Sequence, residues 1–318
     1  MKVSVFKVSQ SNPSDLSGVQ SLIDSGELNP QNIVAVLGKT EGNGCVNDFT
    51  RGYATQACKQ FFSNYLSKED ASKIVYVMSG GTEGIITPHL TLFSIETNQT
   101  SEKRKGMVIA VGKTRHFKPS EIGTLSMVKT VAETITNCLN EHSISPKDVH
   151  FVQIKCPLTT AERRAKDPDV KTEDSYKSMA LSRGASSLGT AVALGELCIN
   201  DISEDDICSN FNLYSSVASA SAGIELENCE IIIMGNSENS QSDFIMSHDV
   251  MTHALDAMAV KKAIEKTKLP ASSVFTVLTK AEADPSGSIL NHRHTMIDDS
   301  DISHTRMARA VVGAVVGS

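Results

Sequence analysis

The stretch Asn32-Ile33-Val34-Ala35-Val36-Leu37-Gly38-Lys39-Thr40-Glu41-Gly42-Asn43-Gly44 decides how this chain is read. A largely apolar run of strand length, Asn32 to Leu37, delivers a lysine into a loop with three glycines in seven residues. Such a loop marks a tight bend or a close approach of backbone to ligand. Two further runs behave the same way. Val149 to Ile154 delivers Lys155-Cys156-Pro157, and Val274 to Leu278 delivers Lys280-Ala281-Glu282. The lysines lie 116 and 125 positions apart, a domain-sized period too long for a solenoid.

The neighbourhood of each lysine repeats as well. In the first unit Val3 to Val8 alternates as a strand, and Asn12-Pro13-Ser14-Asp15 caps a short helix through Leu22. Arg51 to Leu66 carries Ala54, Ala57, Phe61 and Tyr65 at helical spacing, and Ile74 to Met78 is a strand ending at Ser79-Gly80-Gly81. In the second unit Met107 to Val111 is a strand. A helix over about 120–140 puts Ile122, Leu125, Val128, Val131, Ile135 and Leu139 on one face. Arg183-Gly184-Ala185-Ser186 opens an Ala-rich helix, and Ala218 to Gly223 precedes a strand over Glu230 to Met234. The third unit reads as a strand at Phe244 to Met246, a helix over about 251–267, the strand before Lys280, and an Ala/Val/Gly helix beginning near Arg306.

The copies therefore read Lys39, Arg51, Ser79; Lys155, Arg183, Ser221; and Lys280, Arg306. Serine follows arginine by 28 positions in the first and 38 in the second. Applied to Arg306, either gap places a third serine beyond Ser318. The expectation is an α/β fold of three pseudo-symmetric βαβ-containing units around a central cleft, over residues 1–103, 106–238 and 243–318, with the third unit incomplete. Three copies of one set suit a small, flat, three-fold symmetric ligand.

Composition narrows the class. Hydrophobic residues are 40% of the 318, charged residues 21%, and Trp is absent, so the core rests on aliphatic side chains. A net charge of -7 argues against a broad nucleic-acid surface. No apolar run reaches the ~18 residues of a membrane-spanning helix, and Met1 to Phe6 reads as a strand rather than a leader. Seven cysteines without a C-x-x-C pair fit reduced thiols in the cytoplasm. The sequon Asn98-Gln99-Thr100 is then accidental.

A serine hydroxyl needs a base, and a lysine serves when burial or a nearby cation leaves it neutral near pH 7. Arginine offers paired planar donors to a carbonyl or enolate-like oxygen, and backbone N–H groups in a Ser-Gly-Gly turn suit an oxyanion. Together these parts describe amide hydrolysis without histidine. Taken singly, each has a plain structural reading: a strand-end lysine is a solvated residue, Ser-Gly-Gly a turn, a helix-start arginine a surface charge. Recurrence in one order is what argues for a shared site. Gly38-Lys39-Thr40 is no phosphate loop, because Ile33 stands where the first glycine belongs. His292-Arg293-His294 lacks a carboxylate at ligand spacing. Glu282 reads either as a cation ligand or as a partner of Lys280. Lys103-Arg104-Lys105 and Lys261-Lys262 read as solvated faces.

Gly38 to Gly44, Met78-Ser79-Gly80-Gly81-Thr82-Glu83-Gly84, Ile154 to Leu158, Ala218-Ser219-Ala220-Ser221-Ala222-Gly223-Ile224-Glu225, Lys280 to Ala283, and Arg293 to Met296 with Asp299 to Ile302 closely resemble the ring-opening amidohydrolases. Members of that family open cyanuric acid or barbituric acid, and the resemblance covers essentially the whole chain. It implies hydrolysis of cyanuric acid to carboxybiuret, which loses carbon dioxide to give biuret, with barbituric acid as the alternative substrate. It implies Lys155 as general base and Ser221 as nucleophile, with Ser219-Ala220 as the neighbouring register. Arg51, Arg183 and Arg306, with Ser79-Gly80 and Ser221-Ala222, would bind the ring, supported by Lys39 and Lys280. It further implies no organic cofactor, a structural Mg or Ca ion on Glu282 and a glycine-rich C-terminal loop, and a homo-oligomer, commonly a tetramer. An incomplete third unit also allows an inert homologue that only binds ligand.

Overall fold

The computed structural model describes residues 1–97, 103–298 and 303–318. The sequon at Asn98 and the segment Asp299 to Ile302 lie outside the described residues. The first unit contains β1 (Lys2–Ser9), α1 (Ser17–Asp24), β2 (Ile33–Thr40), α2 (Thr50–Phe62), α3 (Lys68–Lys73), β3 (Val75–Gly80) and β4 (His89–Glu96). The second contains β5 (Arg104–Lys113), α4 (Leu125–Glu141), β6 (Val149–Pro157), α5 (Ala161–Lys166), α6 (Ser175–Leu194), β7 (Ala218–Gly223) and β8 (Glu230–Ser240). The third contains α7 (Ala257–Lys266), the two-residue strands β9 (Ser288–Ile289) and β10 (His292–Arg293), and α8 (His304–Gly317).

The first two units are copies in topology. Their sheets run β1-β4-β2-β3 and β5-β8-β6-β7. In each, the lysine strand is central, antiparallel to one neighbour and parallel to the serine strand. A parallel pair needs a crossover, and α2 or α6 supplies it. Strand β4, which the sequence pattern does not announce, occupies the place of β8.

Each sheet has one face under helices. Val36, Tyr76, Leu90 and Leu92 pack with Ala54, Cys58 and Phe62 of α2. In the second unit Met127, Val128, Val131, Ile135 and Leu139 of α4 form the expected stripe over the sheet. The other faces meet in a shared apolar layer of Val3, Val5, Val77, Phe93, Ile109, Ile232 and Met234. Partly buried Phe244, Met246 and Leu278 of the third unit pack against that layer.

The structure corrects the sequence reading in three places. Arg183 does not open a helix: α6 begins at Ser175, where the Asp174 side chain accepts from the Tyr176 and Lys177 amides at 2.7 and 3.1 Å. Such an N-cap fixes the start of a helix, so Arg183 stands mid-helix. Ser178, Ser182, Ser186 and Thr190 of that helix are all buried at four-residue spacing, and the Ser182 hydroxyl donates to Pro157 O of β6 at 2.6 Å. Neither 244–246 nor 274–278 is a strand. A strand requires a ladder partner, and the described third unit pairs only β9 with β10. Finally, α7 begins six residues later than the expected helix, at an Asp256 cap.

Candidate active site

Strand register brings the expected pairs together. Lys39 is the partner of Ser79 across β2 and β3, and Lys155 is the partner of Ser221 across β6 and β7. Partners on adjacent parallel strands project to the same side of the sheet. Ser79, Ser219, Ser221, Lys39 and Lys280 line one cavity of about 380 Å³, so residues of all three units converge there.

The two serine registers differ in their partners. The Ser219 hydroxyl donates to Gln153 Oε1 at 2.9 Å. The Ser221 hydroxyl oxygen is buried and has no hydrogen-bond partner. Ser221 lines the cavity, so its hydroxyl is free to meet a molecule bound there. No Ser221–Lys155 hydrogen bond is formed. Lys155, with its side chain 1% exposed, instead donates from Nζ to Met78 O at 2.8 Å and ion-pairs with Glu225 at 3.0 Å.

Each lysine has a carboxylate. Lys39 stands 3.6 Å from Glu83, Lys155 3.0 Å from Glu225, and Lys280 2.6 Å from Glu282. Burial lowers all three lysines against the pull of those carboxylates. Lys39 is brought down to about 8. Arg51 adds to the depression of Lys155, and Arg309 of α8 to that of Lys39. On Glu225 burial acts upward, but Lys155 and Arg51 hold the carboxyl below its ordinary value.

The arginines join the units head to tail. Arg51 donates to Ala222 O of the second unit at 2.7 Å and to Cys45 O at 2.6 Å. Arg183 donates to Glu282 of the third at 2.6 Å. Arg306 donates twice to Asn43 O of the first, at 3.1 and 2.7 Å. Arg51 is 2% exposed and its fork is occupied by protein carbonyls. Arg183 and Arg306 line a small cleft beside Cys45, and Arg183 Nε is buried without a partner. None of the three lines the cavity that holds the serines.

Asp48 organises the first unit, unannounced by the sequence reading. It accepts from the Gly44 and Thr50 amides at 2.8 and 3.0 Å and faces Arg51 Nε at 3.7 Å. A Cβ on Gly80 would lie 1.8 Å from Asp48 Oδ2. That contact explains why Ser79 is followed by glycine while Ser221 is followed by Ala222: three residues before Arg183 stands Ala180, not a carboxylate.

Glu282 is surrounded by donors, with Lys280 and Arg183 at 2.6 Å and Thr305 Oγ1 at 2.8 Å. Two cations already neutralise it and hold its carboxyl down at about 2. That donor set does not fit a cation ligand, and no cluster of three or more His, Cys, Asp or Glu residues suits a metal among the described residues. Glu282 is thus the partner of Lys280 in this structure.

Fold and site together define a repeat-built α/β protein with buried lysine–carboxylate pairs beside an unpartnered serine. Residues 4–318 match the family described as amidohydrolase ring-opening protein (Amido_AtzD_TrzD), and the chain belongs to that family. It is 48% identical to a cyanuric acid amidohydrolase from Enterobacter cloacae, over 100% of this chain and 92% of the relative. The crystal structure of a cyanuric acid hydrolase from A. caulinodans superposes with a TM-score of 0.94 at 40% identity, covering 99% of this chain and 90% of that one. A second cyanuric acid hydrolase, described as an innovation by structural concatenation, gives 0.92 at 40% identity over 99% and 91%.

Proposed function

We propose that this chain hydrolyses cyanuric acid to carboxybiuret, which releases carbon dioxide to leave biuret. The relatives' substrate supports the choice of ring. The chemistry rests on one observation, a buried and unpartnered Ser221 hydroxyl in register with a buried lysine.

In this reading neutral Lys155 takes the Ser221 proton as Oγ attacks a ring carbonyl. The tetrahedral centre collapses with cleavage of the ring C–N bond, and the proton passes from Lys155 to the leaving nitrogen. Water then attacks the acyl-serine, and the carboxyl product departs as Ser221 regains its proton. Ser79-Gly80 and the Lys39 and Lys280 side chains hold the other two sides of the ring. Arg51 acts by fixing the Ser221-Ala222 turn through Ala222 O, while Arg183 and Arg306 approach from the neighbouring cleft. Catalytic hydrogen bonds often tighten only when substrate binds, which accounts for the open Ser221–Lys155 pair. The Ser219 register is the weaker one, because Gln153 already holds that hydroxyl.

The test offers cyanuric and barbituric acids in parallel to the 318-residue chain and follows biuret and ureidomalonate. Biuret from cyanuric acid supports the proposal. Opening of barbituric acid alone moves the substrate, and ligand binding without turnover of either leaves an inert binder.

A homotetramer in the cytoplasm completes the proposal. Seven free thiols support a reducing compartment, and no helix among the described residues is long and apolar enough to cross a membrane. Light scattering of the purified protein measures the assembly.

A further inference from the structure

The residue four positions after each serine is glutamate: Glu83 after Ser79, and Glu225 after Ser221. Each turns back onto the lysine paired with that serine. We propose that Glu225 is the positioning residue of Lys155, holding its ε-amino group in place beside Ser221 and governing when that group becomes neutral. The inference rests on the reading of Lys155 as the base.

Three observations carry it. The Lys155 and Glu225 side chains are 1% and 17% exposed and only 3.0 Å apart, so the pair is formed out of bulk water. The backbone is shaped to admit the carboxylate. A Cβ on Gly223 would lie 2.0 Å from Glu225 Oε2, and one on Gly81 would lie 2.2 Å from Glu83 Oε1. In both copies the glycine leaves open the space into which the glutamate folds back, and Gly81 also has a φ of +94°. Third, the Lys155 ammonium donates its hydrogen bond to a neutral carbonyl, Met78 O, and meets Glu225 as an ion pair. Among the described residues Glu225 is the carboxylate in contact with it.

The charges around Lys155 come from three elements. Arg51 of α2 opposes its protonation, Glu225 after β7 favours it, and Cys156 of β6 favours it weakly. Asp48 faces Arg51, and Arg183 of α6 acts on Cys156. Without Glu225, burial and Arg51 act unopposed, and Lys155 becomes neutral at lower pH. An opposite charge within ~4–6 Å moves a group by about 1–3 pH units.

Competitive acetylation with acetic anhydride, read peptide by peptide by mass spectrometry across pH, gives the titration midpoint of each lysine without requiring turnover. In Glu225→Gln the Lys155 midpoint should fall by about one pH unit or more, while those of Lys39 and Lys280 stay. The acid limb of kcat/KM for cyanuric acid should move down with it. Gly223→Ala, which displaces the carboxylate without removing it, should act the same way and serves if Glu225→Gln does not fold. Glu225→Asp retains the charge and should keep the midpoint while lowering kcat. An unmoved Lys155 midpoint in Glu225→Gln or Gly223→Ala overturns the proposal. So does a kcat/KM limb that stays while the Lys155 midpoint moves, or one that moves in Glu83→Gln instead, since either makes another group the base. If the wild type opens neither ring yet the midpoint shifts, the pairing stands and the ring-opening reading fails.

Discussion

Arg51 of the first unit donates to the Ala222 carbonyl of the second at 2.7 Å. The contact locks the residue after Ser221 to a helix more than 170 positions away in sequence. Arg183 and Arg306 repeat the gesture, from second unit to third and from third to first. The arginines are therefore cross-ties between units before they are ligands.

Arg51→Ala is expected to be a stability mutation first. It leaves the buried Asp48 carboxylate without its cation and two carbonyls without their donor. Breaking a buried pair from one side costs about 3–5 kcal/mol. Arg51→Lys should recover only part, because one ammonium on a flexible stem does not reproduce a two-pronged fork. Urea unfolding of the three proteins measures the difference, and a loss below about 0.5 kcal/mol for Arg51→Ala contradicts the cross-tie.

The two serine turns should respond oppositely to a methyl group. Gly80→Ala drives a Cβ to 1.8 Å from Asp48 Oδ2, and overpacking of this kind costs about 1–3 kcal/mol. Ala222→Gly removes a methyl where no carboxylate presses and should cost about 1 kcal/mol or less. Thermal unfolding decides this, and equal losses in both proteins remove the explanation for the Gly/Ala difference.

Much of this arrangement was legible in the sequence. Lysine after an apolar run, with serine after a second run, was enough to place Lys39 with Ser79 and Lys155 with Ser221, because parallel strands delivering their ends to one edge align them. Glu83 and Glu225 were also legible as a recurrent Ser-small-Gly-x-Glu spacing, but which lysine they would meet depends on a loop turning back, and no periodicity encodes that. Asp48 was hidden because its partners, Gly80 and Arg51, come from different elements. The 274–278 segment shows the opposite failure: its apolar pattern is strand-like, yet Phe275 and Val277 are 48% and 44% exposed because hydrogen-bond partners, not pattern alone, make a strand.

Lys39 gives the fold a pH signature. Its folded value is about 8 against an ordinary 10.5, so between those values the unfolded chain binds the extra proton. Stability then rises with pH across that window, by the linkage relation. Lys39→Met should flatten the rise between pH 8 and 10.5 and leave the pH dependence below that window unchanged. Denaturant midpoints at half-unit steps check this, and an unchanged slope assigns the titration elsewhere.

The central claim is that Ser221 opens the ring of cyanuric acid. Its hydroxyl has no partner in the structure, so Ser221→Ala should keep its unfolding free energy within about 1 kcal/mol of the parent. The direct measurement is the rate of biuret formation from cyanuric acid by the parent and by Ser221→Ala, side by side. The parent is expected to release biuret steadily, and a folded Ser221→Ala protein none above background. Near-parent turnover by that variant would contradict the claim.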